Sequence, residues 1–196
     1  MNIKDKQIPN LNTTILCSST INYKEDTMDL IKNNCTILSK DDYGHIEEIP
    51  DSMLLKFKIT DLKTKSDLSK IDNLKISILT NLIDANKTVV LYNILTYLDK
   101  EFKEQLIEHL KETDKQIINY TTEIEETLYL DYIIVINKQG IVMEGTKEEI
   151  LKEEKILNKL GFHLPLVVTL SNDLKYYNLL NETYYTKESL VNALWK

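Results

Sequence analysis

Glu123, Glu125 and Glu126 bring three carboxyl groups into four residues, a spacing that could serve general acid–base chemistry. The simpler reading is structural, because acidic side chains in the first turn of a short helix over residues 124–130 favour its dipole. His45, His109 and His163 are isolated in the chain, and His109, among charged neighbours, is expected on an exposed helix face. Cys17 and Cys35 lack metal-ligand spacing and are expected as free thiols. Tyr92 and Asn93 close a β-branched run. The Asn93 amide has no usable pKa and cannot act as a general base. Tyr92 and Tyr97 could stack a base, or pack half-buried with their hydroxyls in water. All 24 basic residues are lysine, so no arginine finger or bidentate arginine clamp on phosphate is available in this chain.

The elements that would position these groups centre on residues 68–99. Asp72 and Asn73 are expected to cap a helix whose Leu74, Ile76, Ile78, Leu79, Leu82 and Ile83 share a face. Residues 84–87 make a turn, and 88–92 read as a buried strand of a parallel sheet. A charged helix is predicted over 100–113, with Phe102, Leu106, Ile107 and Leu110 at helical spacing. Asp99 just before it reads as an acidic N-cap. Strands follow at 116–120, 131–136 and 141–143, the last two joined by a hairpin turn at 137–140. Thr146 with Glu149 forms a capping box for the next helix. Earlier strands are expected at 14–17 and 35–39. The tail holds an apolar helix over 167–180 and an amphipathic terminal helix with Thr186, Ser189, Leu190, Leu194 and Trp195. This pattern is α/β: a mainly parallel sheet flanked by helices.

This order resembles the core of an ATP-binding cassette (ABC) ATPase, with the P-loop NTPase type of fold. The helical subdomain is reduced. The tail segments, from 154–161 through Leu164-Pro165 to 186–194, are similar to those of energy-coupling factor transporter ATPases. The resemblance divides the chain into a degenerate ABC-like core, 1–150, and a C-terminal helical region, 151–196. It sets Ser69 in the signature loop, where Lys70 and Ile71 replace glycines. Tyr92 and Asn93 stand at the positions of the Mg carboxylate and the catalytic Glu, and Thr122 at that of the switch His. The phosphate loop has no counterpart, since no glycine precedes Gly44. Ser18-Ser19-Thr20 is either its remnant or a plain polar turn. Asp99 would keep a dimer-contact role as an alternative to its N-cap reading.

Together the resemblance and its departures imply a catalytically inactive pseudo-ATPase that serves as a structural or regulatory partner. No catalytic residue and no metal site are expected, and ATP and Mg binding is expected to be weak or absent. Two alternatives stand: an ATP-binding subunit of a heterodimeric ABC transporter ATPase that relies on an active partner, or a repurposed small-molecule-binding or interaction protein outside transport. The expected partner is a second copy or a related ABC ATPase subunit. In that family the tail helps two ATPases dimerise. Leu166, Tyr176, Tyr177 and Trp195 would then join Asp99 at an interface; the alternative is that they pack the tail on its own core.

Totals narrow the field. A net charge of −7 argues against nucleic acid as a partner. No apolar run approaches the roughly 20 residues that span a bilayer, and MNIKDKQIPN lacks the apolar core of a signal peptide. The expected location is cytoplasmic, with peripheral attachment to the membrane through a transporter partner.

Overall fold

The computed structural model describes residues 2–3, 6–18 and 35–195. A short antiparallel ladder joins β1 (Asn2–Ile3) to β2 (Lys6–Gln7). The main sheet is built from β3 (Thr13–Cys17), β4 (Cys35–Leu38), β5 (Thr88–Tyr92), β6 (Gln116–Thr121), β7 (Tyr132–Asn137) and β8 (Gly140–Thr146). Its spatial order is β4-β5-β6-β3-β7-β8. Every pair is parallel except the β7–β8 hairpin. The strands read as near-continuous apolar runs because both faces of the central strands are buried.

Helices α1 (Asp51–Lys56), α2 (Lys70–Ile83) and α3 (Lys100–Glu112) belong to one hydrophobic cluster with β5 and β6, through Leu79, Phe102 and Leu106 against Val89, Leu91 and Ile117. Gly44 lets the preceding loop lie on α2, since a Cβ there would come within 2.7 Å of the Ser77 Cα. Helices α4 (Lys147–Lys152), α5 (Glu154–Lys159), α6 (Leu166–Tyr176) and α7 (Lys187–Leu194) join Leu16, Ile133 and Val135 in a second cluster. The tail therefore shares a core with β3 and β7. A third cluster on the other face gathers Ile15, Cys17, Val90, Tyr120 and Ile136. No helix among the described residues is long and apolar enough to cross a membrane.

Several local expectations are revised. The N-cap of α2 is Ser69, whose hydroxyl accepts from the Asp72 N–H while the Asp72 carboxylate accepts from the Ser69 N–H; Asp72 is the third residue of the box, not the cap. Residues 124–128 form a 3-10 turn rather than an α-helix. The apolar tail helix stops at Tyr176 instead of Leu180, because Asn178 takes φ 59° and Leu179 donates back to the Leu174 carbonyl. His109 is half-buried, its ring edge-on to Phe57 at 5.6 Å. Cys17 is buried and Cys35 half-buried.

Candidate functional site

Parallel strands end their C-terminal residues on one edge of the sheet, and that edge is where open α/β sheets bind ligands. The described part holds Ser18 after β3, Tyr92-Asn93 after β5 and Thr122 after β6. Ser19 and Thr20, the rest of the sequence-predicted polar turn, lie outside the described residues. Tyr92 and Tyr120 are cross-strand partners, and their rings stack at 5.3 Å with 24° between planes. Asn93 turns the chain with φ 49°, a left-handed value that asparagine tolerates better than most residues. Its N–H donates to the Tyr120 carbonyl at 2.8 Å, and its buried Oδ1 has no partner among the described residues. The Thr122 hydroxyl donates to the Glu123 carboxylate at 3.2 Å. The described residues of this edge offer two phenol rings, an amide and hydroxyls, with the Glu123 carboxylate beside Thr122.

Ser69 is exposed and committed to the α2 capping box, and Lys65 pairs with Asp72 at 2.5 Å. That ammonium, with the Ser69 hydroxyl and N–H, draws the Asp72 carboxyl down to about 2. Asp99 caps α3, accepting from the Phe102 N–H at 2.9 Å, and also pairs with Lys75 of α2 at 2.5 Å. Partial burial raises the Asp99 carboxyl, but Lys75 and the Phe102 N–H outweigh it and leave it below the usual range. The Lys75 ammonium also lies 5.1 Å from the centre of the Phe102 ring. Asp99 thus ties α2 to the N-terminus of α3.

A polar seam crosses the face of the sheet between its two apolar clusters. Thr14 and Asn119 are register partners, and Asn119 and Thr121 alternate onto the same face of β6. Glu126 sits over them, 2% exposed, accepting from the Asn119 amide at 3.2 Å. Burial pushes its carboxyl up, against smaller opposing effects from Thr121 and Asn119. The expectation that Glu126 simply decorates a helix start is therefore wrong, while Glu123 and Glu125 are exposed. The Thr14 Oγ1, Asn119 Oδ1 and Glu126 Oε1 atoms are buried without partners among the described residues. Nothing in the local pattern marked Glu126 apart from its two neighbours.

The tail presents an apolar surface. Leu166, Leu170 and Tyr177 follow one side of α6, beside a buried side made of Val167, Val168 and Ser171. Leu166 is 75% exposed, Tyr176 81%, Tyr177 70% and Trp195 87%, so these side chains do not pack the chain's own core. The core contacts come instead from Leu164, Val167, Val168, Leu180 and Leu190.

Comparison with known proteins places this architecture. No family model matches the chain. It is 30% identical over 112 residues to the energy-coupling factor transporter ATP-binding protein EcfA1 of Geobacillus kaustophilus, and 36% over 112 residues to that of Bacillus subtilis. Each match takes in 55% of this chain, and the chain spans only 40% of the length of these relatives. Among solved structures it superposes on cbiO1 from Clostridium perfringens, part of the ABC transporter complex cbiONQ, with a TM-score of 0.55 and 19% identity over 82% of this chain and 85% of that one. A bacterial Atm1-family ABC exporter gives a TM-score of 0.61 at 10% identity, covering 78% of this chain and 36% of the exporter chain. The chain has the fold of an ABC ATPase, and about half of it is similar in sequence to energy-coupling factor ATP-binding subunits.

Proposed function

We propose that this chain is a non-hydrolysing partner of energy-coupling-factor-type ATPases, structural or regulatory in role. The supporting observation is the Tyr92–Tyr120 stack beside Asn93, at the strand end where the resemblance sets the Mg carboxylate and the catalytic base. An amide and a phenol lack the negative charge with which a carboxylate anchors Mg, and neither takes a proton from water at neutral pH. Losing several groups that act as a unit removes nearly all turnover. Lys70 and Ile71, where the signature loop has glycines, take away backbone freedom and room for a phosphate, which argues against service to a partner's nucleotide. The exposed Leu166, Tyr177 and Trp195 suit burial against a second copy or a related subunit, and a partner of that kind would hold the chain at the membrane.

The test is direct. The purified chain should give no Mg-ATPase turnover, and titration calorimetry should give a dissociation constant for Mg-ATP no tighter than about 1 mM. Turnover that disappears in N93A or S69A, or micromolar binding, would refute the reading. Light scattering should find a dimer or a complex with an energy-coupling factor ATPase. The triple variant L166S/Y177S/W195S should lose that association and keep its melting temperature, since those side chains are solvent-exposed in the free chain.

A further inference from the structure

A cavity of about 370 Å³ opens where the N-termini of α3 and α7 meet the 124–128 turn and the start of α6. It belongs neither to the strand-end edge nor to the exposed tail face. Leu128, Tyr129, Val167 and Tyr185 form its apolar part, and the rest of its lining is polar: Thr186, three lysines and four glutamates, Glu126 among them. A cleft that joins an apolar part to convergent polar groups can hold a small molecule.

The buried carboxyl decides what kind of molecule suits it. Glu126 is 2% exposed, and its Oε1 has no partner among the described residues. No ion pair to it exists among the described residues; Lys103 acts on it only at longer range. The Tyr129 hydroxyl is raised by burial first and then by Glu104 and Glu126, with Lys100 opposing them. Of the lysines in the lining, Lys100 is paired with Glu188 at 3.0 Å and Glu104 at 3.6 Å; Lys103 and Lys187 also line the cavity, against four glutamates. A buried carboxylate without a cation is a costly arrangement, relieved by an incoming positive group. We propose that this cavity binds a small organic ammonium compound, its charge paired with Glu126 and its apolar body against Tyr129, Val167 and Tyr185. Such an occupant would bridge the 124–128 turn and both tail helices, α6 and α7, holding the tail on the core.

The probe set is benzylamine, protonated at neutral pH, with benzyl alcohol as its neutral match in shape and phenylacetate as its anionic one, titrated into the full chain. Amide shifts at Tyr129, Val167 and Tyr185 report on the cavity by NMR. Benzylamine should bind in the millimolar range, at least about tenfold more tightly than the alcohol or the acid. E126Q should bring benzylamine down to the level of the alcohol. K103M, a substitution on a helix surface that removes the competing positive charge, should strengthen benzylamine binding about threefold. K103M decides the question by itself if E126Q is poorly folded. The proposal is overturned if the alcohol binds as tightly as the amine, if no cavity amide shifts below about 20 mM probe, or if K103M weakens benzylamine or leaves it unchanged. None of these outcomes depends on ATP turnover or on association.

Discussion

Replacing Glu126 with glutamine should make the protein more stable at neutral pH, and increasingly so as pH rises. In the folded chain the Asn119 amide donates to one carboxylate oxygen of Glu126, while the other oxygen and the Asn119 Oδ1 are left without partners in a buried place. Glutamine keeps the shape, leaves an oxygen for the Asn119 amide, and supplies an N–H for the Asn119 Oδ1. Relieving a buried unsatisfied acceptor is worth about 1–3 kcal/mol. Allowing for imperfect geometry, we expect a gain of about 1–2 kcal/mol, or roughly 3–6 °C in melting temperature for a chain of this size. The pH dependence carries the sharper signature. Burial holds the Glu126 carboxyl above its ordinary value of 4.5, so the folded pKa exceeds the unfolded one. Its contribution is complete below the unfolded value and is lost as pH rises through the folded value. Near pH 4.5 the neutral acid can itself donate to Asn119, so the two proteins should match. The advantage of E126Q should then open progressively as pH rises above that ordinary value. Urea unfolding of both proteins across this range, compared at equal m-value, measures it. A difference that is independent of pH, or a variant less stable at pH 8, would refute the reasoning.

Three further outcomes follow from the same geometry. D99A removes both the cap on Phe102 and the Lys75 pair, and should cost about 1–2 kcal/mol in urea unfolding, whereas D99N keeps an acceptor for the cap and should cost less. At position 93, with φ 49°, alanine should destabilise by about 1 kcal/mol while glycine should be nearly neutral, read by thermal melts of the two variants. Asp72, held down to about 2 against an ordinary 3.8, contributes stability that is present above the unfolded value and lost as pH falls through the folded one; the stability gap between the native protein and D72N should therefore close between about pH 4 and pH 2.

The sequence alone determined the elements whose signals are local. The buried strand Thr88–Tyr92 is legible as a β-branched run, the Asp99 cap as an acidic residue just before a helical pattern, and the Thr146 cap from its box partner Glu149 three residues on. Order and spacing of these elements carried the resemblance to the ABC fold, and the mainly parallel sheet agrees with it. The departures at Lys70, Ile71, Tyr92 and Asn93 are likewise matters of residue identity. Tertiary structure decided the rest. Tyr120 meets Tyr92 only because β6 lies beside β5, and Lys75 reaches Asp99 only because α2 and α3 pack against the same strands. Glu125 and Glu126 are neighbours of the same type in one turn, yet one is exposed and the other buried on Asn119. His109 is half-buried because Phe57, 52 positions earlier, covers it. Which tail side chains face the core and which face water depends on how α6 sits on β3 and β7. Burial is a property of what non-local elements cover, and periodicity along one segment reports only that it has an apolar side. The buried carboxyl, its unmatched oxygens and the cavity beside it arise where two sets of helices meet over one strand, a junction that no single stretch of sequence encodes.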